Sequence, residues 1–268
     1  MAHIEPQVGA GRSITERVPT FLAWMGYVFL ILPTLIVVPL SFNAGTELSF
    51  PPTSFSLAQY RTYFFESNWW EATVLSFWVG IATMMLSLVL GVPAAYALVR
   101  ADFPGKKILT LFLLSPILVP VIVVALGVYL YFASIGIKGV ALPIVLGHTL
   151  IAMPFVVITA MAGMQNVDRN LEVASQIMGA GRLLIFYKVT LPLLRPAIVA
   201  GALFSFLISF DEVVIAYFVG RAGFSTLPVK MFGSIQWEIS PVIAAISTLL
   251  TLLSLGVCLL VAATAKDE

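Results

Sequence analysis

Two adjacent acids, Asp211 and Glu212, stand inside an apolar run and are the residues of this 268-residue chain best placed to do chemistry. Carboxylates at bilayer depth are costly. By default they mark a solute or proton path, or else they are buried against hydrogen-bond donors. Both lie about nine residues before the end of their run, roughly 13 Å deep at 1.5 Å per residue. No lysine or arginine falls inside any apolar run, so the compensating charge is expected from a partner subunit, a solute or a bound proton. Successive helical residues point about 100° apart, so the two acids face different surroundings. Gly201, Ser205 and Glu212 follow a small, polar stripe, whereas Phe204, Leu207, Asp211, Ile215 and Phe218 form a bulky one. Glu212 is therefore expected on a translocation path and Asp211 in a helix interface. Ser205, Ser209 and Asp211 stand beside Glu212 as the solute-path candidates.

Covalent and metal chemistry find no footing elsewhere. Gly9-Ala-Gly-Arg and Gly179-Ala-Gly-Arg lack the spacing and the lysine of a phosphate-binding loop. There is no nucleophile elbow and no cluster of histidine with carboxylates. His148 is the one histidine within a run, with no second ligand four residues on, which favours a local hydrogen bond over a metal site. The single cysteine, Cys258, excludes a disulfide framework and is expected to be packing. A net charge of +1 argues against nucleic acid as a partner. No catalytic residue, metal or cofactor is expected on this chain, so any energy source must sit on another polypeptide.

The elements that would hold the two acids follow from composition. With 60% hydrophobic and only 10% charged residues, the chain is an integral membrane protein. Six runs, at about 21–42, 70–99, 108–132, 140–164, 197–219 and 242–265, are long enough for a hydrocarbon core of roughly 30 Å. Unbroken apolar blocks, rather than ten-residue alternation, predict an all-α polytopic bundle of six spans. Trp69, Trp70 and Glu71 suggest that the second run begins with a turn along the membrane surface. The aromatic segment 55–70 is either an interfacial belt or a cage for a cation, the belt being the plainer reading. Prolines in the first four runs imply either curved helices or kinked ones that flank an opening cavity.

Ten lysines and arginines fall on one side of these runs (12, 17, 100, 106, 107, 169, 182, 188, 195, 266) and four on the other (61, 138, 221, 230). That imbalance puts both termini and the loop at about 165–195 in the cytoplasm. The first run, long and without a small-x-small cleavage site, reads as an uncleaved anchor after a cytoplasmic segment of 1–20; residues 21–268 then form one six-span transmembrane domain.

The 165–195 loop has its own pattern. Asn166 or Asp168 caps a short helix with the stripe Val167, Leu171, Ala174 and Met178, and Gly179 with Gly181 stops it. A second short helix, 182–190, ends against Pro192. Glu172, Ser175, Gln176 and Gly179 share a small, polar face that suits a groove on another protein.

Ala174-Ser175, three residues, Gly179, nine residues and Val189-Thr190-Leu191-Pro192 resemble the cytoplasmic signature of permease subunits of binding-protein-dependent ABC importers, Glu-Ala-Ala, three residues, Gly, nine residues, Ile-x-Leu-Pro. The acid is displaced here: Val173 holds the signature's glutamate position and Glu172 precedes it. The segment from Pro196 through Asp211-Glu212, with Leu227-Pro228 and the six runs, resembles the polyamine branch of that family.

The resemblance implies a type I importer permease fold in a bacterial inner membrane and a non-catalytic subunit. It implies a second permease, two ATP-binding subunits carrying ATP and magnesium, an extracytoplasmic solute-binding protein and a small, cationic, polyamine-like solute. It also implies that Glu172, Ala174, Ser175, Gly179, Leu191 and Pro192 couple the loop to the ATPase. The rival reading is a secondary carrier or channel with a regulatory loop; a carrier would show two similar halves, and no internal repeat is evident.

Overall fold

The structure is a computed structural model that describes residues 14–45, 49–137, 141–220, 224–237 and 240–264. The side chains of Arg12, Arg17, Lys138, Arg221, Cys258 and Lys266, on which part of the charge and packing reading rests, lie outside the described residues. All regular structure among the described residues is helical. The chain separates into two compact units, residues 1–67 with 235–268, and residues 68–234.

The first unit pairs two apolar helices, α1 (Ile14–Leu40) and α13 (Val242–Thr264), which pack on one another. α1 presents exposed side chains almost all round from Phe21 to Leu35, as a helix surrounded by lipid or by another subunit does. The short α2 (Ala58–Arg61) runs into a π-helical turn, Thr62–Glu66. It is fastened to the end of α1, where the Ser41 and Tyr60 hydroxyls meet at 2.7 Å and Gln59 Nε2 donates to the Asn43 carbonyl at 3.3 Å.

The second unit is built on three helices that pack closely together: α3 (Trp69–Arg100), α6 (Leu142–Gln165) and α10 (Arg195–Asp211). Water-driven burial does not hold helices together in lipid, so close backbone approach must. The sequence provides it. α3 buries a stripe of small residues (Ala72, Ser76, Gly80, Thr83, Ser87, Gly91, Ala95) at a helical repeat. A Cβ on Gly91 would stand 2.9 Å from Val156 Cγ1 of α6, and one on Gly201 of α10 would stand 2.6 Å from Thr159 Oγ1.

α3 is one unbroken helix of 32 residues, so the expected surface turn at Trp69 is absent; Glu71 simply occupies its first turn. Its Trp69 is buried, and Lys230 of α12 (Leu227–Trp237) sits 4.7 Å over the indole ring. That face already holds a cation of the chain's own, which removes Trp69 from any solute cage. Burial lowers the Lys230 pKa below the usual lysine value, and the nearby Glu71 opposes that shift.

Two expected spans are not single helices. In the third, α4 (Lys106–Leu114) passes through a 3₁₀ turn at Ser115–Ile117 and restarts after Pro120 as α5 (Val121–Ser134), a bend of 98°. Pro116 and Pro120 remove ladder donors there, so the kinked reading of the prolines holds at this point. In the fifth, α10 stops at Asp211 and α11 (Val214–Val219) begins afresh. Among the described residues, three helices are long and apolar enough to cross a membrane alone, and counting 106–117 with 121–134 and 182–193 with 195–211 as bent spans raises the number to five, against the six expected.

Candidate functional site

The first arm of the loop between α6 and α10 starts and stops where the sequence pattern predicts. Asp168 is the N-cap of α7 (Arg169–Ile177), and its carboxylate accepts from the Asn170 N–H at 2.9 Å. Gly179 ends the helix with φ +87°, a conformation that costs an L side chain about 1–2 kcal/mol. The Gly179 and Ala180 N–H groups then close onto the carbonyls of Gln176 and Ser175. Gly181 plays a different part from the one expected: its φ is −70°, and it starts α8 (Arg182–Ile185) rather than stopping α7. A π-helical turn, Phe186–Thr190, and the short α9 (Leu191–Leu193) complete the second arm, which meets α10 at a 77° bend. Leu191 and Pro192 therefore occupy the corner of that bend, both half-buried.

Glu172 does not share an outward face with Ser175. It is the one buried residue of α7, at 6% exposure. Its Oε1 accepts from Arg100 Nε at 3.1 Å and from Thr190 Oγ1 at 3.0 Å. Arg100 also donates through Nη2 to the Val167 carbonyl at 3.2 Å. One ion pair thus ties the last residue of α3 to the entrance, the first turn and the far arm of the loop. Side-chain exposures of 16% and 7% put this pair well away from bulk water, and removing one partner of such a pair typically costs about 3–5 kcal/mol. Beneath it, Phe186 packs with Val92 and Val156, and its ring meets Tyr96 at 5.0 Å.

With Glu172 turned in, a different surface is left outside. Ala174 and Gly179 are exposed and Ser175 is half-exposed, as a docking face requires. Between them project Ile177 and Met178, 82% and 80% exposed, with Leu183 at 75% across the glycine turn. Met178 belongs to the apolar stripe expected on this helix, whereas Ile177 stands outside that stripe. Two successive apolar residues directly before the stop glycine of a loop rich in charge are the signal that could have found them. The opposite side of α7, including Arg169, Glu172 and Gln176, lines a cavity of about 400 Å³ with Arg100 and Arg182.

The two acids of the fifth run also exchange the surroundings expected of them. Asp211 is exposed at the end of α10, and Glu212 is buried at 8%. Because the helix breaks at Glu212, the first N–H groups of α11 lack carbonyl partners, and the carboxylate supplies them. Glu212 Oε1 accepts from Val214 N at 2.8 Å and Ile215 N at 3.0 Å; Oε2 accepts from Ile215 N at 2.9 Å and Ala216 N at 3.2 Å. His148 Nε2 lies 3.1 Å from Oε2, off the line of a straight hydrogen bond. Its Nδ1 is 2.8 Å from the Ser209 hydroxyl. The tautomer protonated on Nε2 fits both neighbours, with Nδ1 accepting from Ser209. Compensation for this carboxylate therefore comes from the chain itself, where a partner subunit, a solute or a proton was expected.

Among the path candidates, Glu212 and Ser209 are thus brought together through His148. Ser205 is fully buried, and its hydroxyl has no partner among the described residues. Asp211 alone presents a free surface. An apolar cavity of about 610 Å³ between α3, α5 and α6 is lined by none of the four. Among the described residues, no group of three or more histidine, cysteine or acidic side chains gathers where a metal ion would bind.

Residues 87–266 match a protein family described as a binding-protein-dependent transport system inner membrane component. Over 234 residues the chain is 30% identical to the spermidine/putrescine transport system permease protein of Haemophilus influenzae, covering 87% of this chain and 91% of that protein. It is equally identical over 234 residues to the putrescine transport system permease protein of Escherichia coli, covering 84% and 83%. A molybdenum transport system permease protein of Escherichia coli is 31% identical over 186 residues, 62% of this chain and 80% of that protein.

Proposed function

The chain belongs to the family of binding-protein-dependent transport system inner membrane components, and from that premise we propose that its α7–α8 loop is the lever by which a separate ATPase drives solute through the membrane. The subunit is a non-catalytic permease of an ABC importer. It forms half of a pathway completed by a second permease, with two ATP-binding subunits on the cytoplasmic side and a solute-binding protein outside. Both termini and the loop are cytoplasmic, and ATP and magnesium are held by the ATPase.

The observation that carries this reading is the buried Arg100–Glu172–Thr190 junction. A loop that transmits force must not fold away under load, and a charge pair with two further hydrogen bonds holds α7 against the end of α3. Coupling residues then divide by task. Ala174, Ser175 and Gly179, with Ile177 and Met178, enter the ATPase groove; Glu172 holds the helix from behind; Leu191 and Pro192 set the corner through which α10 is moved. The solute is a polyamine-like cation, in keeping with the relatives' names and with Asp211 as the exposed carboxylate of the path.

The test is reconstitution of the complex in vesicles. Replacing Ile177 and Met178 by aspartate should leave the permease inserted and remove ATP-driven uptake of labelled spermidine or putrescine. Uptake that survives an inactive ATPase and follows an ion gradient would instead establish a secondary carrier. Uptake of molybdenum in place of polyamine would overturn the cationic solute while leaving the lever intact.

A further inference from the structure

We infer that the cavity behind α7 binds the phosphate of an anionic phospholipid headgroup. Five charged side chains line it: Arg100, Asp102, Arg169, Glu172 and Arg182. Two acids are already committed. Glu172 is paired with Arg100 at 3.1 Å, and Asp102 lies 3.5 Å from Lys106. Arg169 and Arg182 have no ion-pair partner among the described residues and border the same space, which leaves two guanidinium groups without a counter-charge. A guanidinium presents its donors in a planar fork that matches the oxygens of a phosphate, and two of them around a concave site select an anion over a neutral group.

Position selects the source of that anion. Arg100 is the last residue of α3, a helix apolar over 32 residues, so the cavity opens where the hydrocarbon layer ends and headgroups begin. At about 400 Å³ it holds roughly a dozen waters' worth of space at ~30 Å³ each, which is room for a phosphodiester. On α7 the arginine and glutamate of the cavity face away from Ala174 and Met178, so a bound headgroup and a docked ATPase would occupy opposite sides of one helix. The lipid would then set the tilt at which the loop is presented. This inference uses the membrane reading of α3 and is independent of the identity of the solute.

The assembled transporter, placed in nanodiscs of phosphatidylcholine with or without phosphatidylglycerol, provides the test. Native mass spectrometry should find retained phosphatidylglycerol, and thermal unfolding should move upward when that lipid is present. The double variant R169Q/R182Q should lose one retained lipid per permease and the upward shift, whereas R169K/R182K, which keeps charge without the fork, should retain the lipid in part. Equal retention by wild type and R169Q/R182Q overturns the inference. So does the same stabilisation by inorganic phosphate in pure phosphatidylcholine, which would make the ligand a soluble anion. Release of the ATPase from R169Q/R182Q with lipid content unchanged would assign the cavity to a protein carboxylate and equally overturn it.

Discussion

Glu172 and Glu212 are both buried glutamates in an apolar chain, yet the loop and the broken fifth span use them in opposite ways. Glu172 gathers donors from far along the sequence, Arg100 at a separation of 72 residues and Thr190 at 18. Glu212 gathers donors from its own next turn, two to four residues on, with His148 as the one distant neighbour. The first joins elements; the second finishes one element so that another can start. A buried acid in a membrane protein is therefore not by itself a solute site, and the separation of its donors tells which structural job it does.

The contrast is broken most severely at the junction. Arg100→Ala strands Glu172 without its cation and is expected to destabilise the permease by about 3–5 kcal/mol. Thermal unfolding in detergent and ATP-driven uptake should both fall sharply; Glu172→Gln, which keeps an acceptor for Thr190, should cost less. Similar stability of Arg100→Ala and wild type would remove the junction from the account.

At the other glutamate the loss is local. Glu212→Ala leaves the buried N–H groups of Val214, Ile215 and Ala216 without acceptors, about 1–3 kcal/mol, and hydrogen exchange should quicken at those three amides while the α7 amides keep their protection. Faster exchange in α7 as well would show that the two regions are coupled. Ser209→Ala removes one hydrogen bond to His148 and is expected to cost about 1 kcal/mol, read as a lower unfolding midpoint.

The smallest effect on stability belongs to the loop tip. Ile177→Asp should change the unfolding free energy by no more than about 0.5 kcal/mol, because the side chain is 82% exposed, while abolishing stimulation of ATPase activity by the solute-loaded binding protein. Retained stimulation would move the docking surface elsewhere. Solubility and association also depend on that patch, so the variant's assembly state has to be checked by size-exclusion chromatography.

What was legible in the sequence was local. Asp168 and Gly179 announce the start and stop of α7 by residue type, and the apolar runs announce a helical membrane protein. The partners of both glutamates were not legible, for different reasons. Arg100 reads only as a basic residue at the end of a span, because nothing in composition links it to an acid 72 positions away. The break at Glu212 has neither proline nor glycine to mark it; the run from 197 to 219, apolar around its two acids, hides a helix that ends and restarts. Once that break is known, a glutamate as the residue that starts α11 follows from the need of its first amides, and the burial of Glu212 ceases to require a solute. The bend after Ile117, by contrast, was foreshadowed by Pro116 and Pro120.

The long reach of the Arg100–Glu172 pair has a consequence in time. A chain made at about 5–20 residues per second exposes Arg100 roughly 4–14 seconds before Glu172 is synthesised. During that interval the Arg100 guanidinium at the end of α3 is without the carboxylate that holds it in the finished fold. Arrival of α7 supplies that partner, so the junction that holds the finished loop also marks the moment when α3 and the loop become one piece during biogenesis.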